Sequence, residues 1–145
     1  MISKALSLLY SILNKIKMPI PIEIEQTLIH FKLSEFDSPD ELGSGSKMDR
    51  TFLSKLDTAR SIAGIPFKIN SGFRSEKWNL KCGGRWGSAH KFGLAADIAT
   101  EGSRECYLIV NALMQVGINR IGIGETFIHA DISEERDQEV IWLYK

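Results

Sequence analysis

Apolar side chains recur at helical spacing near the start of the chain, at Ile2, Ala5, Leu6, Leu9, Ile12, Leu13 and Ile16, with Lys4, Asn14, Lys15 and Lys17 among them. This i, i+3, i+4, i+7 pattern predicts an amphipathic helix packed on the rest of the domain. Met18-Pro19-Ile20-Pro21 ends it, because proline has no N–H to donate and its ring clashes with the preceding turn. Residues 22–31 read as a short helical or irregular segment. Phe31 to Phe36 alternates loosely and is expected to be extended. Asp37 to Ser46 is turn chemistry throughout, so a surface loop is expected there.

A second helical stripe begins at Asp49: Met48, Phe52, Leu56, Ala59 and Ala63 share one face, and Gly64 before Ile65-Pro66 is a stop signal. Phe67-Lys68-Ile69-Asn70 alternates as a half-buried strand does and delivers Ser71-Gly72-Phe73-Arg74. Ser75 can cap a short helix, with Glu76 in its first turn, running to about Lys81 and breaking at Gly83-Gly84. Gly93 to Ala99 predicts a strand carrying Asp97. Ser103 is expected to cap a helix that buries Cys106, Ile109, Val110 and Leu113 and ends at Gly117. Arg120 to Gly124 and Thr126 to Ile132 read as two strands of a tight hairpin, and Val140 to Tyr144 as a final strand. Together these elements predict an α+β fold: a small, mainly antiparallel sheet with helices packed on one side.

Composition narrows the class. At 145 residues, 43% hydrophobic and 25% charged, the chain fits one soluble domain, here divided into an N-terminal amphipathic segment (1–30) and a catalytic domain (31–145). The formal net charge of +0 gives no footprint for nucleic acid. The first helix is too short and too polar to span a bilayer, although a membrane-surface helix is the sharper alternative. It has an early lysine and a short apolar run, as a secretory signal has, but serines interrupt the run and no small-residue cleavage site follows. Cys82 and Cys106 lack metal-finger spacing and are read as two thiols. A monomer is expected.

The candidate chemistry sits in two stretches. Ser88-Ala89-His90-Lys91-Phe92-Gly93-Leu94-Ala95-Ala96-Asp97 places a histidine and an aspartate seven positions apart, and Phe127-Ile128-His129-Ala130-Asp131 adds a second imidazole. Two imidazoles and a carboxylate suit a catalytic Zn²⁺ with one position open for water. His30, the remaining histidine, falls outside these stretches. Ser88 can orient its loop or a substrate amide. Asp131 can orient an imidazole or simply end its strand. Lys68 and Lys91 are read as solvated charges, and Trp86 as packing over the domain or lining a substrate groove.

Read with their flanks, these stretches resemble the zinc D-alanyl-D-alanine carboxypeptidases, the peptidoglycan-cleaving group that includes phage endolysins and vancomycin-resistance D,D-dipeptidases. The matching pieces are Ser71-Gly72-Phe73-Arg74, Asn79, Gly83-Gly84, Ser88 to Asp97, Gly122-Ile123-Gly124, and Phe127 to Asp131, in the family's order, and they cover roughly residues 31–132. The resemblance implies one Zn²⁺ held by His90, Asp97 and His129, with Arg74 at the substrate or the developing oxyanion. A guanidinium, always charged and forked, suits that role. It further implies hydrolysis of an amide bond in peptidoglycan stem peptides. The chain departs from the pattern at the general base. Relatives place a glutamate, aspartate or histidine a few residues before the last ligand, whereas here positions 124, 126 and 127 are Gly, Thr and Phe, leaving Glu125 as the titratable candidate. Arg85 and Trp86 replace a short polar or proline-containing segment.

Two function classes follow: a zinc peptidase, cutting as a D-Ala-D-Ala carboxypeptidase or as an endolysin-type endopeptidase, and a metal-stabilised cell-wall-binding or virion module of the same fold with little turnover. Location stays open between a cytoplasmic protein released to the wall, as a phage lysin is, and a periplasmic one.

Overall fold

The computed structural model describes residues 27–145. The helix expected over residues 2–18, and most of the N-terminal unit expected over 1–30, lie outside the described residues. Among the described residues three α-helices, α1 (Arg50–Ala63), α2 (Glu76–Lys81) and α3 (Ser103–Gln115), pack with a five-stranded sheet. The strands are β1 (Ile69–Ser71), β2 (Ala95–Ala99), β3 (Arg120–Ile123), β4 (Phe127–Asp131) and β5 (Val140–Leu143), in spatial order β1-β2-β4-β3-β5. Every pairing is antiparallel except β3 with β5, which is parallel. The expected α+β class and mainly antiparallel sheet are what the chain adopts, and among the described residues no helix is long and apolar enough to cross a membrane.

The helices form where the pattern places them. Asp49 caps α1 by accepting the Phe52 amide at 2.8 Å, and Ser75 caps α2 by accepting the Trp78 amide at 3.0 Å. On α1, Phe52, Leu53, Leu56 and Ala59 are buried, and α3 turns Ile109, Ala112 and Leu113 inward against them. The helix expected to be capped by Ser103 instead starts at that residue. No side chain caps it at Gly102, and the Glu105 carboxylate takes the Glu101 amide at 2.8 Å. The expected extended stretch at Phe31 to Phe36 is corrected too: Leu33–Phe36 is a 3₁₀ turn. Local bonds override the loose alternation, with Lys32 N–H donating to the Glu35 carboxylate and Asp37 N–H to the Ser34 carbonyl, and the turn drops Phe36 fully into the core. The loop over 37–46 contains one further 3₁₀ turn, Ser44–Lys47.

Side-chain alternation divides the sheet into two faces. Ala96, Ile98, Ile121, Ile128 and Ala130 meet the α1/α3 layer in one apolar core with Phe36, Phe52 and Phe67. The opposite face carries polar side chains in register. Ser71, Asp97, His129, Gly122 and Trp142 are successive cross-strand partners from β1 to β5, and Asp131 stands opposite Arg120. One apolar face thus anchors the sheet while the other builds a site. The segment before the first 3₁₀ turn is tied to α1 by Asp57, whose carboxylate accepts the Ile29 and His30 amides at 3.0 and 2.8 Å.

Candidate metal centre

β2 and β4 bring Asp97 and His129 side by side, and the 3₁₀ turn Ala89–Phe92 holds His90 over them. His129 Nδ1 lies 2.9 Å from Asp97 Oδ1, His90 Nε2 lies 3.3 Å from the same oxygen, and the two nitrogens are 3.3 Å apart. A tetrahedral Zn²⁺ with ligands at 2.0–2.1 Å has ligand–ligand edges of about 3.3 Å, so the three donors already stand close to the corners such an ion needs. These residues form the group that could hold a metal among the described residues.

The chemistry of the donor set fits as well. His90 Nδ1 donates to the Gly72 carbonyl at 2.7 Å, which frees Nε2. His129 Nε2 donates to Asp131 Oδ2 at 3.0 Å, which frees Nδ1. Each imidazole is therefore fixed in the tautomer that points a lone pair at the centre. Asp131 is 1% exposed and is itself held by Arg120 Nε at 2.8 Å and the Ser133 amide at 3.0 Å. Burial works against its charged form, but the bonds from His129 and Ser133, with the nearby Arg120 charge, hold its pKa down to about 2. Burial likewise opposes ionisation of Asp97, and the two histidines outweigh it, leaving that carboxyl well below the usual carboxylate range. For His129, desolvation disfavours the cation, but the flanking carboxylates win and raise its pKa.

Arg74 reaches the same group: its terminal nitrogen donates to Asp97 Oδ2 at 2.8 Å and its Nε to Ser71 Oγ at 2.8 Å. The Arg74 amide donates to the His90 carbonyl at 3.1 Å, so the Ser-Gly-Phe-Arg segment both orients His90 and carries the guanidinium. A cavity of about 640 Å³ opens over the centre and is lined by Arg74, Ser88, His90, Asp97, His129 and Asp131 among others. Ser88 is thus placed at the site. Glu125 is exposed on the bend between β3 and β4, outside the cavity lining, because the β4 alternation turns Phe127 and His129 toward the cavity and leaves the preceding bend in solvent. His30 stands elsewhere, with its Nε2 2.7 Å from Ser61 Oγ.

The aromatic wall of the site was missed in the linear reading. Trp142 and Tyr144 line the cavity beside His129, their ring centroids 5.6 and 6.5 Å from the imidazole. Their alternation in Val140-Ile141-Trp142-Leu143-Tyr144 signals a shared face, but nothing local says that this strand runs parallel along β3. Gly122 permits the arrangement, since a Cβ there would lie 2.5 Å from Tyr144 and 2.6 Å from Trp142. Burial, with Asp97 and Asp131 nearby, raises the Tyr144 phenol pKa. Trp86, read as packing or groove-lining, is instead 78% exposed and outside the cavity lining, with Lys91 Nζ 4.3 Å from its ring centroid. Lys91 is correspondingly not a free surface charge: it also bonds Glu76 at 3.2 Å and the Trp86 carbonyl at 3.1 Å. Cys82 and Cys106 are free thiols.

Two candidate ligands on one sheet face and a third on the turn above them, braced by an arginine and a buried carboxylate, are the layout of a metal-dependent hydrolase. The chain belongs to the peptidase M15 family, whose family model, described as Peptidase M15, matches residues 29–131, a span that contains Arg74, His90, Asp97, His129 and Asp131. The family makes it a metallopeptidase. A comparison with curated proteins finds no match.

Proposed function

We propose that the protein is a zinc-dependent peptidase that hydrolyses an amide bond of peptidoglycan stem peptides, as a D-Ala-D-Ala carboxypeptidase or an endolysin-type endopeptidase. The observation that carries the metal chemistry is the convergence of His90 Nε2, His129 Nδ1 and Asp97 Oδ1, each imidazole fixed through its other nitrogen. The substrate class is supported by the family and by the resemblance in the motifs.

In this reading His90, Asp97 and His129 hold one Zn²⁺. Bound there, the ion supplies Lewis acidity toward the scissile carbonyl and acidifies water. The protein's own residues do the rest. Asp131 keeps the proton of His129 on Nε2. Arg74 holds Asp97 in place and offers its remaining N–H groups to the substrate or the developing oxyanion. Ser88 binds the peptide backbone beside His90. The Trp142 and Tyr144 rings wall the site on the β5 side. Glu125, exposed on the bend that precedes β4 and without an ion-pair partner among the described residues, is the candidate proton acceptor.

Its position outside the cavity is also what favours the second reading, a wall-binding module that holds metal and peptide without turnover. Zinc content and release of peptide fragments from purified peptidoglycan, compared for wild type and His90→Ala, decide between them. The peptidase reading expects stoichiometric zinc and product from wild type alone. Wild type that binds zinc and stem peptide yet releases nothing would establish the module, and equal activity in the variant would remove the metal from the reaction.

A further inference from the structure

The charges that face the cavity do not balance. Its two lining aspartates are both engaged, Asp97 by Arg74 and the imidazoles, Asp131 by Arg120 and His129, and Lys145 lines the cavity as a further cation. Arg74 and Arg120 are thereby matched. Arg85 and Arg136 line the same cavity, and among the described residues neither guanidinium has a carboxylate within ion-pair distance. Glu134, Glu135, Asp137 and Glu139 flank Arg136 in sequence, but they are exposed and none lines the cavity.

Specific contacts hold the Arg85 backbone and the Arg136 side chain at the cavity, and both side chains are exposed to solvent there. Asn79, 1% exposed, donates its side-chain N–H to the Arg85 carbonyl at 3.0 Å, and the Ser88 amide donates to the same oxygen at 3.0 Å. Gly84 lies so close to Asn79 that a Cβ would sit 2.1 Å from its Oδ1, so this turn requires glycine. Arg136 arrives from the segment between β4 and β5 and donates to the Gly87 carbonyl, joining its segment to the loop that carries Arg85. Two distant parts of the chain thus bring two arginines, neither ion-paired among the described residues, to the cavity that holds the metal centre.

From this juxtaposition we propose that Arg85 and Arg136 form a carboxylate subsite beside the metal centre, which selects peptides bearing a free carboxylate near the amide to be cut. The guanidinium fork matches a carboxylate through two parallel N–H···O bonds, and a partly enclosed cationic pocket concentrates anionic substrate. The inference rests on the peptidase reading and adds to it a substrate preference beyond the contact of Arg74, whose charge is paired with Asp97.

Synthetic stem pentapeptides that each have one carboxylate converted to its carboxamide test the subsite. With zinc-loaded protein, one such conversion raises KM about tenfold while kcat changes less, because a charge-assisted bond made on binding is lost. Arg85→Gln lowers that KM ratio, and Arg85→Gln with Arg136→Gln brings it close to one. Arg104→Gln, an exposed arginine outside the cavity, leaves the ratio as in wild type. Wild type that treats every peptide alike, or a double variant that keeps the full ratio, overturns the subsite. If no peptide is hydrolysed, the peptidase reading falls. Calorimetric binding of the same peptides to the same loaded protein then decides the subsite on its own, a ratio near one overturning it.

Discussion

Replacing Asp131 by Asn keeps the shape of a side chain that is 1% exposed and removes only its charge and one acceptor. In the native site one carboxylate oxygen accepts from His129 Nε2 at 3.0 Å, and the other accepts from Arg120 Nε at 2.8 Å and from the Ser133 amide at 3.0 Å. An amide cannot satisfy all three. If its oxygen faces Arg120 and Ser133, its NH₂ meets the His129 N–H and pushes the ring toward the tautomer protonated on Nδ1, which occupies the lone pair the metal needs. If it is turned around, the NH₂ meets Arg120 and Ser133 instead. Loss of such a ligand-orienting carboxylate costs about 10–100-fold in metal affinity, or about 1.4–2.7 kcal/mol. A second magnitude concerns the metal-stripped protein. Lowering the Asp131 pKa from 3.8 to about 2 corresponds to about 2 kcal/mol of stability at neutral pH, which Asp131→Asn forfeits. Competition for zinc against a chromophoric chelator reads the first effect, and urea unfolding of stripped protein reads the second. A variant that binds zinc within twofold of wild type would refute the claim that Asp131 sets the His129 tautomer.

Other expectations follow from the same geometry. Gly122→Ala drives a methyl group into the Trp142 and Tyr144 rings, at 2.6 and 2.5 Å, and lowers stability by about 1–3 kcal/mol; a thermal midpoint equal to that of wild type would contradict this packing. Stripped protein loses stability as acid protonates Asp131, whose contribution is complete above about pH 4 and disappears as pH falls through about 2. His129 acts in the opposite sense: its raised pKa gives a contribution fully present below the ordinary 6.5 and lost as pH rises through the folded value, so a pH series of unfolding midpoints should fall at both ends. Zinc requires the neutral His129 ring, so its affinity, measured by the same chelator competition, declines as pH drops. Glu125→Gln lowers kcat by about 100-fold with zinc content unchanged if the bend delivers this carboxylate as base, and an unchanged kcat excludes it.

Much of this was legible in the linear chain. The α1 stripe from Phe52 to Ala59, the helix start at Asp49, the Ser75 cap, and the alternation around Asp97 and His129 are local signals, written in periods of 3.6 and 2 and in single hydrogen bonds within a turn. The ligand candidates were legible for a related reason: metal chemistry admits few residue types, and His90, Asp97 and His129 are of the right types in short, glycine-flanked segments. Local signals also misled, as where the loose alternation of Phe31 to Phe36 gave way to a 3₁₀ turn. What only the tertiary structure decided depends on pairing between distant segments. The parallel addition of β5 to β3 carries Trp142 to His129. The meeting of the 83–87 loop with Arg136 brings two arginines to the cavity. The β3–β4 bend leaves Glu125 outside the cavity. Side-chain type and spacing can name the groups that bind a metal, but the distance from each group to its neighbours is set by strand register and loop closure, which are properties of the folded chain as a whole.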